Sequence, residues 1–351
     1  MSSEILWMCG DVWMDILPSF ERVELGLKMA LLSDRFDILV DKHFEEKKEL
    51  TIWSVIEISK DEGPKATLSV WIDGKFMEFP LPDRPLPKRI CFKDLQIDYI
   101  DHSVIEFLRA NKQIWDRNGT KLELSIDDDD QPIWDIFVRE IWPIVATKIR
   151  HLRFAGPIHL DNLRRLISPA ILTDLDQLNS IDSDGLLPDW IADDGPNATA
   201  RQALSKWLHT PSKDGQPKRL HCVDYFDGSN LEWVNNLKEA FPRAISSVSY
   251  IIRIDNVRTM PTEPFELENG RTREKLTLEK VSRYDDIVNW LLKRCPIIVG
   301  KTEATVQWEN DKNLDANLNN VQFNLWPGNH SIGPLSPSTE EKADQSNKNV
   351  V

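Results

Sequence analysis

The sequence predicts an α/β protein with a small all-helical segment at its N-terminus and an unfolded tail at its C-terminus. Three observations carry that reading. From Arg89 onward, strand-like and helix-like segments alternate. The strand-like starts recur at a nearly constant spacing. Ahead of them lies DVWMDILPSFERVELGLKMALLSDRFDILVDKHF, residues 11–44, which is apolar on two sides of a helical wheel.

In that first segment Asp11 is expected to cap a short helix ending near Leu17, where Pro18 interrupts it, and a longer helical run is expected from about Arg22 to Phe44. At about 100° per residue, Met29, Leu32, Phe36 and Leu39 fall close to Leu25, whereas Leu27, Leu31 and Ile38 gather on the opposite side. One apolar stripe is enough to dock a helix on its own domain. Two stripes therefore imply a second docking surface.

Residues 51–87 read as a linker that carries a β-hairpin. TIWSVIEI leads into TLSVWIDGKFMEFPL, where Asp73-Gly74 between two apolar arms is a hairpin signal, and the Pro-rich LPDRPLPKR closes the segment.

Residues 88–327 form the repeating region. Strand-like starts at Arg89, Lys121, Ile149, Leu175, Lys218, Ser247 and Glu274 are separated by 32, 28, 26, 43, 29 and 27 residues. Helix-like stretches begin at Ser103, Ile133, Leu160, Ala198, Asn230 and Asp285. The one long step contains DSDGLLPDWIADDGPN, a Gly, Pro and Asp-rich insertion expected to be mobile. A strand plus a helix at this period predicts an irregular leucine-rich-repeat-like solenoid, whose units stack because each is too small to bury its own face. A doubly wound α/β domain is the alternative. Residues 328–351 lack apolar periodicity and are expected to be disordered.

The 351 residues, 41% hydrophobic and 28% charged, suffice for one large or two modest domains. A net charge of −14 disfavours nucleic acid and anionic membrane as partners. The four cysteines have neither metal-ligand spacing nor a paired pattern, and no basic, apolar leader or membrane-length apolar run appears. These features point to a reduced, cytoplasmic or nuclear setting.

No catalytic constellation is legible either. The acidic run Asp127–Asp130 reads as a solvated turn before a helix, and a calcium loop starting at Asp182 fails because Leu186 and Leu187 occupy positions that need a ligand and a glycine. The seven histidines form no H-E-x-x-H, and neither a G-x-S-x-G elbow nor a P-loop occurs. The expectation is a non-enzymatic binding protein without cofactor or metal. Most of the thirteen tryptophans sit in apolar patterns suited to packing, but Trp190 lies in the insertion and is a candidate partner contact.

DVWMDILPSFERVELGLKMALLSDRFDILVD resembles the F-box, in the form found in the expanded families of nematodes. Asp11, Val12 and Trp13 match its start, Ile16 and Leu17 its hydrophobic pair, Leu25, Leu27, Ala30 and Leu31 its apolar run, and Ser33, Arg35 and Phe36 its end. The family's usual Leu-Pro is Met8-Cys9 here. The resemblance implies a helical F-box over residues 1–50 and the role of a substrate receptor in a Skp-cullin-F-box ubiquitin ligase. On that view Val12, Trp13, Ile16, Leu17, Leu27, Leu31 and Phe36 contact a Skp-type adaptor, and through it a cullin. The repeat region would hold an unknown protein target, with Lys93, Arg153 and Tyr225 on or beside strands and Trp190 in the insertion as contacts. Catalysis would belong to other subunits. A ligase-independent binding scaffold, whose N-terminal helices only cap the solenoid, is the alternative.

Overall fold

The computed structural model describes residues 9–46, 51–60, 65–72, 75–87, 90–111, 119–127, 130–213, 215–223, 232–258, 263–284, 287–297, 318–325 and 331–335. The chain is of mixed α/β type and divides into two compact units, one built from Met1–Asn118 with Asn319–Val351 and the other from Gly119–Leu318. Its described strands are, in chain order, β1 Thr51–Ser59, β2 Thr67–Ile72, β3 Lys75–Pro80, β4 Ile90–Ile97, β5 Thr120–Ile126, β6 Ile149–Phe154, β7 Ser180–Asp184, β8 Lys218–Val223, β9 Tyr250–Val257, β10 Phe265–Asn269, β11 Glu274–Tyr284, β12 Ile287–Pro296 and β13 Asn319–Leu325.

Unit 1 opens with helices whose geometry departs from the expected continuous run. Helix α1, Gly10–Ile16, starts one residue before Asp11, without a side-chain cap, and gives way to a 3₁₀ turn at Pro18. Helix α2, Arg22–Glu24, continues as a π turn over Leu25–Met29 and a 3₁₀ turn over Ala30–Leu32. Ser33 is then fully extended, at φ −169° and ψ 161°, and its Oγ accepts the Phe36 amide at 3.4 Å as the cap of α3, Asp34–Glu46. The two-stripe wheel is corrected by this break. A π turn and an extended residue reset the helical phase, so Leu25 and Leu27 are both buried although the wheel sets them apart. Leu32 and Ile38, from opposite stripes, are 64% and 67% exposed.

The segment expected as a linker is a structural part of unit 1. Strands β2 and β3 pair antiparallel from Thr67 with Pro80 to Ile72 with Lys75, as the hairpin signal requires. The order in this unit is β13-β4-β1-β2-β3, with β13, β4 and β1 parallel to one another and β1, β2 and β3 pairing antiparallel. Ion pairs from Lys75 to Glu21 and from Arg84 to Asp34, at 2.7 and 2.8 Å, tie the helices to the hairpin and the Pro-rich stretch. Helix α4, His102–Ala110, is capped by Asp101, whose Oδ1 accepts the Val104 amide at 3.0 Å. Part of the tail expected to be disordered is ordered beside it. Ile332 bridges Ile100 in parallel, and His102 N donates to Pro334 O.

Unit 2 has the strand order β5-β6-β7-β8-β9-β12-β11-β10. The first five are parallel sequential neighbours, each crossover carrying helix. Helices α5, Gln131–Ile136, and α6, Trp142–Val145, follow β5, with Asp130 at the end of the acidic run capping α5. Helices α7, Pro157–Leu166, and α8, Ile171–Asp174, follow β6; α9, Ala200–Leu208, follows β7; and α10, Trp233–Ala240, follows β8. Burial alternates along β5, β8 and β9, so one face is sealed by residues such as Leu122, Leu152, Ile181, Leu220 and Ile252 while the other is half exposed.

The sheet is not the expected solenoid, and beyond β9 the strand–helix alternation itself ends. The helix expected at Asp285 is strand β12, because Trp290, Leu292 and Arg294 are buried at a period of two, and β12, β11 and β10 finish the sheet as an antiparallel meander.

Candidate functional site

The half-exposed face of β5–β9 carries a cross-strand row of charge. In register, Glu123 faces Arg153, Arg153 faces Asp182, Asp182 faces His221 and His221 faces Arg253. Arg153 Nε lies 3.4 Å from Glu123, His151 Nε2 lies 3.1 Å from Asp182, and His221 lies 3.8 Å from Asp182 and 3.0 Å from Asp255. Arg253 Nε closes the row 2.9 Å from Asp255. Burial alone would raise the Asp182 carboxyl; the His151 hydrogen bond and the charges of His151, His221 and Lys121 outweigh it and hold that carboxyl below the usual range. The row is largely self-neutralised. Among the described residues, no group of three side chains is arranged to hold a metal ion.

At the end of β7 the insertion departs from expectation. Rather than hanging free, its backbone is pinned from several sides. The Arg164 guanidinium donates to Gly195 O within it and to Ala198 O and Pro169 O outside it, and Arg201 donates to Leu187 O and Pro188 O. Ser205 Oγ donates to Asp189 O, and Thr173 Oγ1 donates to Asp194 at 2.9 Å. Leu186 and Leu187, the residues that spoil a calcium loop, are its buried anchors. Trp190 stands out from this fixed frame, 63% exposed.

Trp190 lies on the rim of a cavity of about 500 Å³ enclosed by the insertion, α9, α10 and residues 241–250. Leu208, Leu237, Phe241, Val248 and Ile252 give it apolar walls. Arg294 lines it with its charge already matched, since Nε and Nη2 lie 3.2 and 2.8 Å from Glu274 Oε2 and Nη2 also donates to Ser246 O. Glu274 Oε1 accepts from Ser247 Oγ and from Val248 N, which fixes the wall segment. Burial tends to raise Glu274, but its hydrogen bonds to Arg294, Thr272 and Val248 together with the Arg294 charge hold it low. Tyr250 is pushed up to about 12 by burial, and burial lowers His209, so both are neutral at pH 7.

In unit 1 the residues implied as adaptor contacts have different environments. Leu17 and Leu27 are buried inside the unit, which removes them from an outward surface. Trp13, Ile16, Leu31 and Phe36 are half-buried, with the Trp13 and Phe36 rings edge to face at 4.8 Å, and Val12 is exposed. The exposed large apolar side chains here are Val12, Leu32 and Ile38 on the helical turns and Phe20 in the extended link after Ser19.

Of the implied target contacts, Arg153 sits in the charged row and Trp190 on the cavity rim, while Lys93 lies in β4 of unit 1 and Tyr225 lies outside the described residues. Sequence reasoning missed Asp182, His221 and Asp255 as members of the row. The available signal was the recurrence of polar residues at outward positions of successive strands. It also missed Arg243, Ile245 and Arg294 at the cavity, which no local pattern marks.

Compared with family models, with curated proteins and with solved structures, the chain matches none.

Proposed function

We propose that this chain is the non-catalytic substrate receptor of a Skp-cullin-F-box type ubiquitin ligase. The observation that carries the proposal is the set of apolar side chains, Val12, Phe20, Leu32 and Ile38, left in water on the segment that resembles the F-box. Each fully buried apolar side chain contributes roughly 1.5–3 kcal/mol, so burying four supplies roughly 6–12 kcal/mol of gross interface energy before association costs are subtracted. The adaptor contact is then made by Val12, Phe20, Leu32 and Ile38 with the half-buried Trp13, Ile16, Leu31 and Phe36 behind them. Unit 2 supplies the target-binding surface, through the charged row that includes Arg153 and the rim residue Trp190.

The test is co-expression of the full chain with a Skp-type adaptor, beside Ile38→Asp, Leu32→Asp and Leu31→Asp variants. Stoichiometric co-purification lost in variants that keep the wild-type circular dichroism spectrum supports the receptor reading. A folded wild-type chain that captures no adaptor overturns it and leaves a ligase-independent scaffold.

A further inference from the structure

We propose that the outward face of the unit 1 sheet binds an arginine-rich segment of a partner protein, with Trp71 and Phe76 stacking on one guanidinium and Glu78, Asp94 and Asp98 pairing with its neighbours. The proposal goes beyond the receptor reading: such a segment is part of a target if that reading holds, but the binding itself needs no adaptor.

Register defines the face. Phe76, Trp71, Val55, Asp94 and Asn320 stand opposite one another on β3, β2, β1, β4 and β13 in turn, so their side chains share one side of the sheet. Glu78 lies two residues on from Phe76 and Asp98 four on from Asp94, which keeps both on that side. The intervening residues point the other way, and Ile56, Leu68, Val70, Leu95 and Val321 are sealed there. The N-terminal helices take the sealed side, where Lys28 lies 5.5 Å from the Phe79 ring and Lys75 pairs with Glu21.

The charge of the open side has one sign. By register, no Lys, Arg or His holds an outward position on these five strands. Asp94 Oδ1 accepts from Asn320 Nδ2 at 3.1 Å, and Asp98 accepts from Gln96 Nε2 at 2.9 Å and from Asn324 Nδ2 at 3.1 Å. These amides hold the two carboxylates in place without neutralising them. Glu78 is exposed, and among the described residues none of the three acids has an ion-pair partner. Thr67 Oγ1 and Asn320 Oδ1, on the same side, lack a donor as well. A surplus of acceptors calls for a cation rich in donors, and a guanidinium has five N–H groups and no acceptor. The net charge of −14 attracts the same class of partner from a distance.

The aromatic pair narrows the choice to a planar cation with an apolar stem. The Trp71 and Phe76 rings lie 4.7 Å apart with their planes inclined at 59°, and they are 38% and 55% exposed. A guanidinium within about 6 Å of a ring centroid is attracted to the ring face, and Glu78, the next outward residue of β3, stands beside it to accept its N–H groups. A purely apolar ligand would leave the acids unused. An acidic one would be repelled by all three.

The test uses fluorescein-labelled peptides and the full chain, read by fluorescence anisotropy. One peptide is Arg-rich in a Gly-Ser background; a second carries citrulline, the neutral isostere, in place of every Arg. The expected result is saturable binding of the Arg peptide, with the citrulline peptide weaker by about tenfold or more. Phe76→Ala, and the double change Glu78→Gln with Asp94→Asn, each lower affinity for the Arg peptide by about tenfold. A control, Glu239→Gln with Glu268→Gln, removes the same amount of charge from exposed positions of unit 2 and leaves affinity at the wild-type value. Equal binding of the two peptides overturns the proposal. So do equal losses in the control and in the Glu78, Asp94 variant, which would mean attraction by net charge alone. Should that variant lose its native circular dichroism, Phe76→Ala alone decides. Adaptor co-purification is measured on the same variants and stays unchanged, which separates this outcome from failure of the receptor reading.

Discussion

Arg294 and Glu274 join β12 to β11 from within the core, two guanidinium nitrogens lying 3.2 and 2.8 Å from one carboxylate oxygen while both side chains are sealed from water. Breaking such a pair strands a buried charge. Glu274→Ala is expected to cost about 3–5 kcal/mol, whereas the double change Glu274→Leu with Arg294→Met recovers most of the loss. Urea denaturation followed by tryptophan fluorescence reads both. A Glu274→Ala chain within about 1 kcal/mol of wild type would contradict the assignment.

Leu27 and Ile38 test the corrected helical geometry. Ile38→Asp is expected to leave the melting temperature nearly unchanged, because that side chain already lies in water. Leu27→Asp places a charge in a site that is 5% exposed and should unfold unit 1. Equal melting temperatures for the two variants would restore the symmetric two-stripe helix.

Asp182 makes stability depend on acid. Its folded pKa is lowered, so the unfolded chain, with a carboxyl near about 3.9, takes up its proton first. The contribution is fully present above about pH 4 and is lost as pH falls through the folded value. Asp182→Asn is expected to cost about 1 kcal/mol at pH 7 and to flatten the acid limb of the melting curve. Parallel acid limbs in wild type and variant would remove the His151 and His221 partnership as its cause.

Lys218 gives the opposite limb. Its Nζ donates to Trp207 O and sits 4.9 Å above the Trp207 ring, and burial pushes its pKa down to about 8. Because the folded value lies below the unfolded one, the unfolded chain holds the proton more tightly and stability rises with pH between about 8 and 10.5. Lys218→Met abolishes that rise. The wild-type urea midpoint minus that of Lys218→Met should therefore increase from pH 7 through 8.5 to 10, and a constant difference would count against the buried cation.

Strands were the most legible part of the sequence. All seven expected starts fall in or within a few residues of β4, β5, β6, β7, β8, β9 and β11, because a half-buried strand shows its period of two over as few as five residues. Strand β12 was misread. Ile287, Val288, Leu291 and Leu292 imitate a helical stripe, and nothing local says that Arg294 is buried against Glu274 from the neighbouring strand. The insertion was located but its rigidity was not, since the donors that pin it come from Arg164, Thr173, Arg201 and Ser205 outside it. Trp190 could be chosen as an exposed aromatic; the cavity behind it depends on α10 and residues 241–250, which only the fold brings near.

Strand β13 has a consequence for how the molecule is made. It pairs in parallel with β4, and Asn320 and Asn324 hydrogen-bond to Asp94 and Asp98, more than two hundred positions earlier. On the ribosome all of residues 119–318 emerge before that partner does, so β4 waits with one row of amides and carbonyls uncovered while unit 2 is already free to fold. Nascent chains stalled before residue 319 would be the aggregation-prone species, and they would be the natural clients of a chaperone.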